Sequence, residues 1–149
     1  MEVEFPPDWR VLRDLRTFVG KLVTSVIESD DLAARVSMVV TELAENAVKY
    51  SVENASVVRL SVEPTANGIR CETENRASAK NIKELEQTLT AVNEGDPLEA
   101  YANALIAVNE SDTSSRIGLA RIRHEGQMAV RCVVDQQKVR IIAEMQLAA

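Results

Sequence analysis

The sequence contains few aromatic residues, glycines, prolines and cysteines, and these shortages narrow the kinds of protein it can encode. Only 3% of its 149 residues are aromatic, so the core must consist mainly of Val, Leu, Ile and Ala. Its two cysteines, Cys71 and Cys132, are too few for a disulfide-rich scaffold and have no metal-binding spacing. Both fall in strand-like segments, which favours reduced core thiols in a cytosolic protein, or two neighbours across a sheet.

Long apolar runs and basic blocks are also missing. No apolar run approaches 18 residues, which predicts that no segment spans a membrane, and the acidic N-terminal stretch "MEVEFPPDWR" does not fit a secretory signal. The net charge of -6 disfavours nucleic acid as a partner, because phosphates attract basic surfaces. With 46% apolar and 27% charged residues, the chain is predicted to fold as one soluble domain over residues 1–149.

Apolar residues recur at spacings of three and four in the first third of the chain. The first such run predicts a helix from about Asp8 to Ser29. The second predicts a helix that ends near Tyr50, with Asp30 or Asp31 capping its first amides.

The remaining sequence alternates between hairpin-like and helix-like patterns. Two Val-rich segments flank the turn signal Asn67-Gly68, two helical runs are separated at Gly95 and Pro97, a short helix stops at Gly126, and a last hairpin turns at "QQ". The predicted order is therefore α-α-β-β-α-α-α-β-β. This order predicts an α+β fold, a two-layer sandwich whose mostly antiparallel sheet of about four strands is covered on one face by helices.

The second helix ends in the stretch "TELAENAVKYS", which concentrates polar side chains on one face. Glu42 and Asn46 lie four residues apart and therefore project from the same side of the helix, one turn from each other. Glu45 and Lys49 have the same spacing and could form an ordinary surface ion pair. On that plainer interpretation, Glu42 simply faces water.

This stretch resembles the N-box of the GHKL superfamily, which includes gyrase, a heat-shock chaperone, histidine kinases and MutL. It is most similar to the N-box of the small bacterial anti-sigma-factor serine kinases, single domains of about this length and element order. The resemblance implies the Bergerat, or histidine-kinase-like ATPase, fold with ATP and Mg²⁺ as cofactors. It also implies that Asn46 is the Mg²⁺ ligand, that Glu42 is the catalytic base, and that Lys49 meets a phosphate.

The two glycine boxes of that family are degenerate in this chain. Where the family has an aspartate that binds adenine, the sequence places Glu74 or Asn75, and no glycine follows. In "TSSRIGLARI" only Gly118 matches the end of the glycine-rich run, so Ser115 and Arg116 would have to bind phosphate by another route. Alternatively, Ser114 or Ser115 caps the helix and Gly118 permits close packing.

Two functions follow from this mixed pattern. The missing glycines favour a regulatory protein of the anti-sigma or partner-switching type, which binds a sigma factor or a small antagonist domain and binds nucleotide weakly or not at all. The retained Glu42 and Asn46 favour the alternative, an active ATP- and Mg²⁺-dependent serine/threonine protein kinase.

Trp9 is predicted to anchor the core or its edge, but the resemblance to the family implies dimerisation through this first helix. His124, in the last turn of a helix, is predicted to be structural.

Overall fold

The structure, a computed structural model, describes residues 1–52, 57–107 and 114–145, with the backbone alone of Ser114. The sequence predicts a polar loop over 109–116. Its part at 109–113 lies outside these ranges, and residues 114–116 instead begin a helix, so that part of the prediction is wrong. The elements in chain order are β1 (Glu2–Phe5), α1 (Trp9–Val26), α2 (Asp30–Tyr50), β2 (Val58–Thr65), β3 (Gly68–Arg76), α3 (Ala79–Val92), α4 (Pro97–Ile106), α5 (Ser114–His124), β4 (Met128–Asp135) and β5 (Lys138–Met145). The fold is α+β, with helices packed on one sheet, as the sequence predicted.

The helices begin where short polar side chains accept hydrogen bonds from free backbone amides. Asp8 caps α1 by accepting from the amide of Arg10. The cap of α2 is Ser29, whose hydroxyl accepts from the amide of Leu32 at 3.2 Å, so the prediction that Asp30 or Asp31 caps this helix is wrong. Both aspartates lie in the first turn of α2, where their charge still favours the helix dipole.

The sheet has five strands in the order β1-β2-β3-β5-β4, and every neighbouring pair is antiparallel. The predicted count of about four strands missed β1, which pairs with β2 from Glu2 opposite Ser61 to Phe5 opposite Val58. Four residues are too few for an alternating pattern to stand out from an acidic N-terminal segment. The two predicted hairpins are confirmed, and β5 inserts between β3 and β4.

The two faces of the sheet differ sharply in polarity. The inner face packs against the helices, and its residues Leu60, Cys71 and Ile141 are almost fully buried. The outer face consists largely of ion pairs: Arg59 meets Glu2, Glu4 and Glu74, and Arg140 meets Glu72. This alternation of buried and charged residues explains why the protein has two layers, since a charged face gives a second helical layer little apolar surface to bury.

The two cysteines lie on strands that are not neighbours. Cys71 is in β3 and Cys132 is in β4, with β5 between them, so the alternative that they are adjacent across the sheet is wrong. Two strand spacings amount to roughly 9–10 Å, beyond the reach of a disulfide. Burial raises the pKa of Cys71 to about 12 and is also the main cause that raises the pKa of Cys132 to about 11. Both groups therefore stay protonated thiols near neutral pH.

Trp9 does not anchor the core as predicted. It is the first residue of α1, and 58% of it is exposed, because the helix turns Leu12, Leu15 and Val19 toward the core instead. Within the described ranges, no helix combines the length and the apolar character that crossing a bilayer requires.

Candidate functional site

The C-terminal half of α2 runs through the middle of the helical layer. This helix packs against α1, α3, α5 and the two strands β2 and β3, so most of its faces are covered. Asn46 is only 4% exposed, and the side chain of Glu42 is 17% exposed. Neither polar side chain therefore points into bulk solvent, although both are polar residues next to buried apolar residues of α2.

The carboxylate of Glu42 contacts α5. One of its oxygens, Oε1, lies 3.5 Å from Nη1 of Arg121. The other, Oε2, lies where Gly118 has no side chain, and a Cβ built on Gly118 would overlap it. Arg121 in turn bonds Glu125 through Nε at 2.6 Å. Gly118 and Arg121 are three residues apart and share one face of α5, so both lie against the carboxylate of Glu42.

The environment of Glu42 disfavours its charge. Burial is the largest cause that raises the pKa of this carboxyl above its ordinary value of 4.5, and the negative charge of Glu45 adds to it. Arg121 and Arg16 act in the opposite direction without cancelling the effect. A carboxyl group with a raised pKa suits a proton acceptor, but the same shift arises wherever an acid is buried between two helices.

The raised pKa predicts how Glu42→Gln changes stability with pH. Because the folded protein holds this proton more tightly than the unfolded chain, the contribution of Glu42 becomes less favourable as the pH rises from the ordinary value through the raised one. The neutral glutamine should therefore give a higher melting temperature than wild type at pH 7. That gain should become small near pH 4, where Glu42 is mostly protonated in both states.

The matched control is Glu125→Gln, because Glu125 bonds the same guanidinium but is well exposed. Loss of such an exposed pair should change stability by less than about 1 kcal/mol and without the same pH dependence. Melting curves from pH 4 to pH 8 measure both variants. A Glu42→Gln variant that is less stable than wild type at pH 7 would contradict the prediction.

Asn46 is fixed through only one end of its amide. Its Nδ2 donates to the backbone oxygen of Glu42 at 3.0 Å, whereas Oδ1 is buried without a hydrogen-bond partner. A buried acceptor with no donor is uncommon and costs about 1–3 kcal/mol. An amide oxygen is also a ligand that Mg²⁺ accepts. Elsewhere in the described part of the chain, no three or more His, Cys, Asp or Glu side chains are grouped to hold a metal.

The other residues with predicted site roles are dispersed. Asn75 is buried in β3 and donates to the backbone oxygen of Arg76 at 3.4 Å. Ser115 is buried in the first turn of α5, and the Nε of Arg116 is buried without a partner. Among the described residues, no hydrogen bond or ion pair joins these three to Glu42 or Asn46.

Lys49, Glu45 and His124 each contact a neighbouring side chain. Lys49 places its Nζ 5.6 Å from the ring centroid of Tyr50. Glu45 forms an ion pair with Arg16 of α1 at 2.6 Å. His124, in the last turn of α5 as predicted, stacks on Tyr101 of α4 with ring centroids 5.5 Å apart, a contact in keeping with its predicted structural role.

The helix cap predicted at Ser114 or Ser115 is not at either position. These serines are the first two residues of α5, whereas an N-cap residue stands before the first helical residue. The predicted close packing at Gly118 does occur, with the carboxylate of Glu42 as the neighbour. Sequence reasoning missed Arg121, although its spacing of three from Gly118 could have placed it on the same helix face.

The site residues fit a bound nucleoside triphosphate poorly. The space beside Gly118, where a glycine-rich turn would admit a phosphate, holds the carboxylate of Glu42. A carboxylate there would repel phosphate oxygens unless a cation or the guanidinium of Arg121 intervened. The amide of Asn75 is turned to the backbone of its own strand. Only the free acceptor of Asn46 is in keeping with a metal ligand.

Comparison with known proteins gives a likeness of fold. No protein-family model matches the sequence, and no curated protein matches it. A chain in a structure described as "The crystal structure of SiaB-SiaC complex from Pseudomonas aeruginosa" is similar, with a TM-score of 0.69 and 12% identity. The match covers 96% of this chain and 87% of the other. At this identity the likeness concerns the fold alone.

Proposed function

We propose that the protein is a bacterial regulatory protein of the anti-sigma or partner-switching type, with a histidine-kinase-like ATPase fold, that acts by binding another protein. One observation supports this most: the carboxylate of Glu42 lies against Gly118 and Arg121 of α5. The group that would act as a base in a kinase is held between two helices. Binding of nucleotide at this site is accordingly weak or absent.

The partner in this proposal is a second regulatory protein, either a sigma factor or a small antagonist domain. Support comes from the similar fold in a structure described as a complex of two proteins, SiaB and SiaC. We also propose that α1 can pair with a second copy, since Trp9 at the start of this helix is 58% exposed. A cytoplasmic setting, where Cys71 and Cys132 stay reduced, belongs to the same proposal.

A second candidate function is an ATP- and Mg²⁺-dependent serine/threonine protein kinase. The observation that favours it is the buried Oδ1 of Asn46, which has no partner and is chemically suited to Mg²⁺. In that case Arg121 would have to release Glu42 before the carboxylate could accept a proton from a substrate hydroxyl. The two functions differ in whether the site must bind nucleotide.

Co-purification from the source bacterium tests the proposal. A tagged chain should retain one regulatory protein, and the complex should form again from the two purified components without nucleotide. Because Glu42 and Asn46 have no direct role in protein binding under this proposal, Glu42→Gln and Asn46→Ala should bind the partner as tightly as wild type. Complex formation that requires Mg-ATP and is lost in Asn46→Ala would favour the kinase, and a chain that retains no protein would refute the proposed function.

A further inference from the structure

The helix α4 has its large apolar residues on the outside. Leu98, Leu105 and Ile106 are 60%, 46% and 75% exposed, and Ala102 between them is exposed as well. These four residues follow the spacing i, i+4, i+7 and i+8, so they form a continuous stripe along one side of the helix. We call them the α4 stripe. A surface helix normally turns such a stripe toward the core.

The side of α4 that faces the protein has two alanines and one tyrosine. Ala100 and Ala104 are buried, and Tyr101 packs on His124 of α5. Small residues allow the two helices to approach closely, so the fold is complete without the large side chains of the α4 stripe. An outward apolar surface along the whole helix adds nothing to the folded monomer and would favour aggregation if it had no partner.

The α4 stripe continues into an open pocket at its N-terminal end. Leu98 lines this pocket of about 490 Å³, whose wall is mixed: Pro97, Met128 and Ala129 are apolar, and Asp96, Arg123, His124 and Gln127 are polar or charged. The helix alone is about 15 Å long, too short for a stable interface by itself. With the pocket, the surface offers a groove in which a second helix could place one apolar side chain while it lies along the stripe.

The charges around the α4 stripe determine the kind of partner. Glu94, Asp96 and Glu99 are exposed at the N-terminal end of the helix, and α4 itself contains no Lys or Arg. The adjoining Arg123 donates to the backbone oxygens of Val92 and Gly95. The N-terminal end of the stripe therefore has an acidic rim, three carboxylates against the one guanidinium of Arg123, which a basic flank on the partner would complement.

The same rim argues against other occupants. A second copy would bring an identical acidic rim from a chain whose net charge is also -6, and anionic lipid or nucleic acid would be repelled. We propose that the α4 stripe is the docking surface for an amphipathic helix of a protein partner whose apolar face is flanked by Lys or Arg. This inference rests on the proposed function only in that it requires a protein partner.

The test uses a fluorescent synthetic peptide, so it does not depend on knowing the natural partner. The probe is a helical peptide of about 14 residues with leucines at i, i+3, i+4 and i+7 and lysines on both flanks. Wild type should bind it, as measured by fluorescence anisotropy. The same peptide with glutamate flanks, and a scrambled lysine peptide without the stripe, should each bind at least tenfold more weakly.

The variant Leu105→Ser/Ile106→Ser should lower the affinity for the lysine peptide at least tenfold with an unchanged melting temperature, because both residues are exposed. Phe18→Ser, an equally exposed apolar position on α1, is the control and should bind as wild type does. Equal binding by the double variant, or no binding to wild type at 1 mM peptide, would overturn the inference while leaving the co-purification result intact.

Two other measurements identify a different occupant. Sedimentation of wild type and the double variant reports self-association: a dimer that the double variant abolishes would mean that a second copy covers the α4 stripe. Flotation with anionic vesicles reports a lipid surface in the same way. Either result would overturn the inference of a basic protein partner.

Discussion

Replacement of Gly126 by alanine should destabilise the protein by about 3 kcal/mol. A Cβ at this position would lie 2.5 Å from the backbone oxygen of Ile122 and 2.8 Å from Cγ2 of Val39. The first neighbour is backbone of α5 and cannot move by a side-chain rotation. The second is a core side chain of α2 that is fully buried. The substitution must therefore push the end of α5 away from α2.

Chemical denaturation measures this change directly, and a loss of about 3 kcal/mol corresponds to a decrease of roughly 6–12 °C in melting temperature. Gly20→Ala is the control, since a Cβ built on Gly20 meets no atom within 4 Å and the residue lies inside α1. This control should be more stable than wild type by roughly 0.5–1 kcal/mol, because alanine favours the helix. Equal effects at the two glycines would contradict the packing of α5 on α2.

Replacement of Gly118 by alanine should destabilise the protein by about 1–2 kcal/mol, and removal of Glu42 should reverse the effect. The added methyl group would occupy the position of the Glu42 carboxylate, which must then leave Arg121. In the Glu42→Ala background the space is free. There Gly118→Ala should instead stabilise the protein by roughly 0.5–1 kcal/mol, as alanine does inside a helix.

A double-mutant cycle with denaturation of the four proteins measures this coupling, which should be at least about 1.5 kcal/mol. Gly20→Ala in the same two backgrounds is the control and should be additive, because Gly20 is in α1 and a Cβ built on it has no near neighbour. Additive effects of Gly118→Ala and Glu42→Ala would mean that the carboxylate does not occupy the space beside Gly118.

The sequence predicted the helices and strands in which apolar residues recur with a regular period. The long amphipathic periods of α1 and α2 and the alternation in β2, β3, β4 and β5 repeat often enough to identify each element. β1 was missed because its four residues are too short a run for an alternating pattern to be recognised. The α2 cap was assigned one or two residues too late because Ser29, Asp30 and Asp31 are all good capping residues, and backbone geometry alone decides among them.

The site was less predictable because its contacts cross between elements. The spacing of Glu42 and Asn46 predicted that both share one face of α2, and their burial agrees with a face directed inward. The position of the Glu42 carboxylate against Gly118, and its ion pair with Arg121, depend on how α5 packs on α2, which a local pattern does not contain. The exposure of Trp9 could not be predicted for the same reason, because the packing of α1 on the rest of the protein decides which of its residues are buried.

The ion pairs of the outer sheet face were also hidden in the sequence. Glu2, Arg59 and Glu74 come from three different strands and meet only because β2 lies between β1 and β3. Each pair is exposed and contributes at most about 1 kcal/mol, so the face serves solubility more than stability. The exposed apolar residues of the α4 stripe lie instead on the helical layer.

The most direct test adds Mg-ATP to the purified protein and measures the melting temperature at each concentration. It asks whether nucleotide binds at the site formed by Glu42 and Asn46 of α2 and Gly118 of α5. A ligand at about 100 times its dissociation constant stabilises a protein by roughly 2.7 kcal/mol. Because the carboxylate of Glu42 fills the space beside Gly118, wild type and Asn46→Ala should both show no shift up to millimolar Mg-ATP. A clear stabilisation of wild type that disappears in Asn46→Ala would contradict this and favour the nucleotide-dependent kinase instead.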